Sequence, residues 1–267
     1  MRLGAAALLA CCAALLWGCA SLPNIDRRVQ ALLPADAILL GEQHDAPEHQ
    51  QIHRQVIETL ASHGQLAALA LEMAEQGHDT RALHRDASPE QVQTTLQWDD
   101  AGWPWAAYGP AVMAAVHAGV PVLGANLPRA QMRPAMANTA LDMQLPGPAL
   151  KAQQQSIRMG HCGLLPESQI GPMTRIQIAR DQAMAQTLQT AAIPGQTVLL
   201  LTGSGHADPS LGVPQHLPEG FASKSVLLQV EPAQAATKDV ANFNQIWVTP
   251  SIPPKDYCAG LRQSGSP

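Results

Sequence analysis

Two stretches of this chain run from an unbroken apolar segment into Gly-x-x-His with an aspartate close behind. One is Ile38-Leu39-Leu40-Gly41-Glu42-Gln43-His44-Asp45; the other is Val198 to His206, ending Gly203-Ser204-Gly205-His206, with Asp208 following. A third apolar run carries Glu72 at its end and a fourth ends in Asn126. An imidazole beside a carboxylate can act as a general base or bind a metal. A carboxylate at the end of an apolar run is costly to bury unless it is paired or metal-bound. Glu42 and Glu72 therefore require partners, and His44, His206 and Arg180 are the candidates. The four residues Glu42, His44, Glu72 and His206 form the candidate catalytic set. The plainer alternative is a buried polar network that holds a crevice together.

A second constellation is the loop Arg158-Met159-Gly160-His161-Cys162-Gly163. Histidine and methionine are both axial ligands for haem iron, and glycines let a flat macrocycle approach the backbone. Cys-x-x-Cys-His is absent, which excludes covalent c-type attachment. The plainer alternative is an exposed loop histidine. A phenolate ligand would have to be Tyr108 or Tyr257, the two tyrosines of the chain. Tyr108, after Trp103-Pro104-Trp105, reads as packing in an aromatic cluster. Arg180 could face a carboxylate or a haem propionate, or form an ion pair with Asp181. His49 and His53 share one helix face, but Gln50 stands where zinc-protease chemistry needs Glu, so they read as a surface pair.

The apolar segments predict strands at 37–41, 66–73, 120–126, 198–202, 225–230 and 245–248. Helices are expected over 47–63, after Pro47, and over 106–118, closed by Gly119. Between Leu127 and Ile193 the pattern is helical, broken at Pro134, Pro146, Pro148, Pro166 and Pro172. Alternating strand and helix means an α/β fold: a mostly parallel central sheet flanked by helices, with a smaller helical subdomain. In such a sheet the ligand crevice lies at the carboxyl ends of the strands, which brings both histidine motifs to one rim.

The N-terminus has a thin positive start at Arg2 and an apolar run from Leu3 to Trp17, too short for a stable membrane span. Leu15-Leu16-Trp17-Gly18-Cys19 resembles a lipobox, making residues 1–18 a signal peptide and Cys19 the lipidated residue of a tether over 19–35. Ala20 after that cysteine favours the outer membrane. The α/β domain is then expected over 36–126 and 194–250, the helical subdomain over 127–193 and a tail over 251–267. Cys162 and Cys258 are left over, a disulfide in an oxidising compartment or else two free thiols. A net charge of −5 with 14% charged residues and no cationic run argues against nucleic-acid binding.

Gly41-Glu42-Gln43-His44-Asp45, Leu71-Glu72-Met73, Trp103-Pro104-Trp105 with Tyr108, Ala125-Asn126-Leu127-Pro128-Arg129, Arg180-Asp181-x-x-Met184-Ala185 and Gly203-Ser204-Gly205-His206 occur in that order. The ordered set resembles the ChaN-like family of haem-binding lipoproteins. That resemblance implies a large α/β domain with a smaller helical one, haem held at a homodimer interface, a tyrosine iron ligand, and a periplasm-facing role in haem uptake, storage or transfer. No tyrosine stands in the His161 loop, so either His161 holds the iron, with Met159, Tyr108 and Arg180 as further haem-binding candidates, or the haem assignment does not carry over to this chain. The wider superfamily includes Tiki-type metalloproteases and erythromycin esterases, which place Glu and His after the first strand much as Glu42 and His44 fall. The alternative expectation is thus a hydrolase, using a divalent metal or the Glu and His residues alone.

Overall fold

The computed structural model describes residues 25–231 and 242–264. The expected signal peptide, Cys19 and the first part of the tether lie outside the described residues. After a short helix α1 (Ile25–Gln30) come six strands, the first four separated by helices. They are β1 (Ala37–Glu42), β2 (Leu66–Glu75), β3 (Val122–Asn126), β4 (Thr197–Gly203), β5 (Ser223–Val230) and β6 (Gln245–Thr249). They form one sheet in the order β3-β2-β4-β1-β5-β6, parallel throughout. Each apolar run of the sequence is a strand, with ends shifted by up to two residues.

Unbroken apolar runs are what a parallel sheet covered on both faces requires. Every residue of β1 and β4 is buried. Alternate side chains serve opposite faces. Ile38, Leu40, Leu69, Leu71, Leu199 and Leu201 join one core cluster, packed under α2 (Pro47–Ser62) and α4 (Trp105–His117). Ala37, Leu39, Ala68, Ala70, Val198 and Leu200 join the other, where Met184, Ala185 and Leu188 of α7 (Glu167–Ala191) close over them. The alanines let α7 lie close to the sheet. The helix α3 (Pro89–Leu96) starts in a capping box, with Ser88 and Gln91 each satisfying the other's backbone N–H.

The helices α5 (Arg129–Ala137) and α6 (Gly147–Gly160) precede α7, with a 3-10 turn at Thr139–Met143 between α5 and α6. Ala135, Leu141, Leu145, Ile178 and Ala179 form a small core of their own. Arg175 fastens it, with a two-pronged ion pair to Asp142 at 2.9 and 2.8 Å and a bond to the Met136 carbonyl at 3.0 Å. Pro134 and Pro172 were expected to break helices, yet they lie inside α5 and α7. Each is the sixth residue of its helix, where proline forfeits one intrahelical N–H bond and crowds the carbonyl four residues back, and the helix continues beyond it. Pro146, Pro148 and Pro166 do mark helix starts. A disulfide joins Cys162 to Cys258, just before a terminal helix α8 (Ala259–Ser264).

Gly41 is where the rim closes. A β-carbon there would stand 2.7 Å from the Ala207 Cβ and 3.0 Å from the Ser204 Cα. Overpacking of this kind costs about 1–3 kcal/mol. Gly41→Ala is therefore expected to lower the urea midpoint with an unchanged slope; an unmoved midpoint would show that the rim relaxes freely.

Candidate functional site

The carboxyl ends of β1, β2 and β4 meet at one rim, and two buried carboxylates organise it. Glu42, last residue of β1, is 2% exposed. Its Oε1 accepts from the Tyr108 hydroxyl of α4 at 2.6 Å and from His44 Nδ1 at 2.7 Å. Its Oε2 lies 3.5 Å from His53 Nε2 of α2. Burial works to raise the Glu42 pKa, but His53, His44 and the Tyr108 hydroxyl outweigh it and hold the group below the ordinary carboxylate range. His44 has a side chain 42% exposed and its ring meets Trp103 edge-on at 4.8 Å. Burial works to lower its pKa; the bond to Glu42 and the charge of Glu72 win, and the pKa is raised.

Glu72 belongs to β2. Its Oε2 accepts from the Thr202 hydroxyl at 2.8 Å and from the Gly203 N–H at 2.7 Å, and its Oε1 stands 3.5 Å from His206 Nε2. The other ring nitrogen of His206 lies 2.6 Å from Asp181 Oδ1 of α7. An imidazole flanked by two buried carboxylates is held protonated. Burial opposes the charge, yet Glu72 and Asp181 raise the His206 pKa to about 10. Glu72 is held far below its ordinary value, its burial outweighed chiefly by the His206 charge. Burial raises Asp181 to about 6.

The rim therefore unites Glu42, His44, Glu72 and His206. It can hold and move a proton at His44, the half-exposed imidazole backed by a buried carboxylate. Among the described residues, no three His, Cys, Asp or Glu side chains stand as a metal ion needs, and the metal-dependent alternative is not supported. Tyr108, a candidate haem contact, is 2% exposed and turned inward to Glu42. The Arg180 Nε is buried without a hydrogen-bond partner among the described residues.

His49 and His53, expected as a surface pair, are both 0% exposed, because their face of α2 packs on the sheet beside Ile52 and Val56. His49 Nδ1 accepts the Gln43 N–H at 3.0 Å and its Nε2 donates to Thr249 Oγ1 at 3.1 Å, while burial pushes its pKa down to about 4. Burial likewise lowers the pKa of His53. Asp181 was read as a partner of Arg180, and its role opposite His206 was missed. The signal available was an Asp among Ile178, Ala179, Ala183 and Met184 on the buried side of a long helix.

His161 lies elsewhere, at the C-terminal end of α6. It lines a cleft of about 640 Å³ with Met159, Gln153, Ile157, Gln177 and Leu211. Its Nδ1 sits 2.8 Å from the Ile157 carbonyl oxygen. A carbonyl only accepts, so Nδ1 carries a proton, and Nε2 is the nitrogen left to offer a lone pair to iron. Met159, 47% exposed, lines the same cleft. Gln177 of α7 reaches from this cleft to His206, its Nε2 3.1 and 3.3 Å from the two ring nitrogens. Its amide thus separates the haem candidate from the charged rim.

The folded protein keeps a proton on His206 that the unfolded chain releases above about pH 6.5. This contribution to stability is complete below that pH and is lost as pH rises toward about 10. Urea midpoints measured from pH 6 to 10 are expected to fall steadily, and NMR should find the His206 ring still protonated at pH 8. A neutral ring at pH 8 would contradict the assignment.

Residues 28–217 match the family described as haem-binding uptake, Tiki superfamily, ChaN. Among solved structures, one reporting cofacial haem binding to ChaN of Campylobacter jejuni aligns at a TM-score of 0.64 and 27% identity, covering 80% of this chain and 88% of that one. The type III effector HopBA1 aligns at a TM-score of 0.43 and 17% identity, over 79% of this chain and 84% of that one, too loosely to support an argument. A comparison with curated proteins found no match. On the family match, which spans most of the chain including the whole rim and the His161 cleft, this protein belongs to the ChaN family of haem-binding uptake proteins.

Proposed function

We propose that this protein takes up, stores or hands over haem on the periplasmic face of the outer membrane, anchored by lipid at Cys19. The observation that carries the reading is His161: its Nδ1–H is committed to the Ile157 carbonyl, and the free Nε2 belongs to a residue lining a cleft with apolar walls at Ala152, Ile157, Met159 and Leu211. Haem supplies an iron that accepts an imidazole nitrogen. His161 is the residue to hold it, with Met159 beside it; Gln153 and Gln177 offer amides to the polar edge. Tyr108 has its hydroxyl engaged by Glu42 and serves the rim instead. The C. jejuni relative is described as binding haem cofacially, and two faces in contact suit a homodimer of this chain as well.

A second reading has one observation behind it. His44 is half exposed and hydrogen-bonded to buried Glu42, which is the arrangement of a metal-free general base for hydrolysis. Ester or amide turnover that survives chelators and vanishes in His44→Ala would support it; no turnover on either class would remove it.

The haem reading predicts a saturable, stoichiometric Soret shift on adding haem. His161→Ala should weaken binding by at least about tenfold and change the spin-state bands, since axial-ligand identity sets the iron's electronics. The melting temperature should hardly move, because the ring packs at a helix end. Tyr108→Phe should bind haem normally. Loss of the shift in Tyr108→Phe with normal binding by His161→Ala would reverse the assignment. Palmitate labelling that persists in Cys19→Ala would refute the anchor.

A further inference from the structure

His161 is joined directly to a cross-linked residue. The turn leaving α6 places Cys162 at φ 59° and Gly163 at φ 68°, two left-handed residues in succession. Its hydrogen bonds run from the Cys162, Gly163 and Leu164 N–H groups to the carbonyls of Met159, Arg158 and His161 at 2.9, 2.8 and 3.0 Å. Glycine accepts that conformation freely, whereas cysteine with its β-carbon does not. Flanking side chains give the turn modest support: Met159 is 47% and Leu164 52% exposed, and the two-pronged ion pair from Arg158 to Glu167 at 3.0 and 2.8 Å lies at the surface. The disulfide from Cys162 to Cys258 is its strong external tie.

The other end of that tie is the C-terminal tail, fixed to the rim next to His44. The Tyr257 hydroxyl stands 3.1 and 3.0 Å from the two carboxylate oxygens of Asp45 and accepts from Gln43 Nε2 at 2.9 Å. Lys255 Nζ lies 3.1 Å from Asp45 Oδ2. Exposed polar contacts of this kind contribute little individually. The covalent bond is what keeps tail, turn and rim together.

We infer that the Cys162–Cys258 disulfide is a redox latch on the His161 cleft, holding the iron-binding histidine in place when oxidised and releasing it, with the tail, when reduced. This rests on the haem reading of that cleft. The reductant is a dithiol. One of its thiolates attacks a sulfur of the pair, the S–S bond breaks, and a mixed disulfide forms. Its second thiol displaces the mixed disulfide, leaving Cys162 and Cys258 as thiols and the donor as a disulfide. Two electrons and two protons pass in all. Both cysteines are half-buried, so a sulfur can be reached without unfolding.

The test compares haem titrations of the full chain in three forms: oxidised, reduced with a phosphine and desalted without oxygen, and Cys162→Ser/Cys258→Ser. The double variant removes the free thiols, which could themselves bind iron. Changes to the groups that hold an iron ligand in place lower metal affinity by about 10–100-fold. The reduced and double-variant forms are expected to bind haem at least about tenfold more weakly than the oxidised form. Amide exchange at residues 159–164 should quicken while the sheet is unchanged. Equal affinity in all three forms would overturn the latch and leave the haem reading standing. No saturable haem binding in the oxidised form would overturn the haem reading, and the latch with it.

Discussion

Two carboxylates that the fold buries at the ends of neighbouring parallel strands dictate most of what surrounds them. A charge out of water must be repaid locally, and the interior of this protein supplies histidines. Glu42 collects His44, His53 and the Tyr108 hydroxyl; Glu72 collects Thr202, the Gly203 N–H and His206. The partners come from α2, α4, β4 and both motif loops. The rim is thus assembled only when every layer of the fold is in place, and its charge balance is a property of the whole domain.

The helix α7 connects the two regions of chemical interest. Its C-terminal half covers the alanine-rich face of the sheet, and its N-terminal half carries the small helical core through Ile178 and Ala179. Between these, Asp181 faces His206 while Gln177, one turn earlier, faces both His206 and the His161 cleft. Spacing of four residues puts both on one side of the helix. A rigid element packed at both ends therefore keeps a charged, buried network and an open apolar cleft at a constant separation.

All six strands could be read from the chain because a two-sided parallel sheet leaves unbroken apolar runs. The convergence of Glu42, His44, Glu72 and His206 followed from strand ends sharing one edge. The buried histidine pair was not legible. His49 and His53 show the same i, i+4 spacing on an exposed face as on a buried one, and only the docking of α2 decides between them. Pairing of His206 with Asp181 spans 25 residues and two elements, so tertiary packing alone reveals it. Pro134 and Pro172 misled for a different reason: an interior proline costs one hydrogen bond and a local clash, a local penalty that tertiary packing of the rest of the helix can offset.

The haem reading depends on a helix end. The final carbonyls of α6 have no amide within the helix to accept from, and such groups take whatever donor is near. Here the Ile157 carbonyl takes both the His161 backbone N–H at 3.1 Å and the ring Nδ1 at 2.8 Å. The second bond fixes the tautomer, and the negative end of the helix dipole makes the imidazole a better electron donor at Nε2. Gly163 after Cys162, in the left-handed region at φ 68°, lets the chain turn away from the helix just beyond His161. A histidine one residue earlier would continue the helix and point along its side, without the carbonyl bond. The position of His161 relative to the helix end, more than the presence of a histidine in a loop, is what equips it as a ligand.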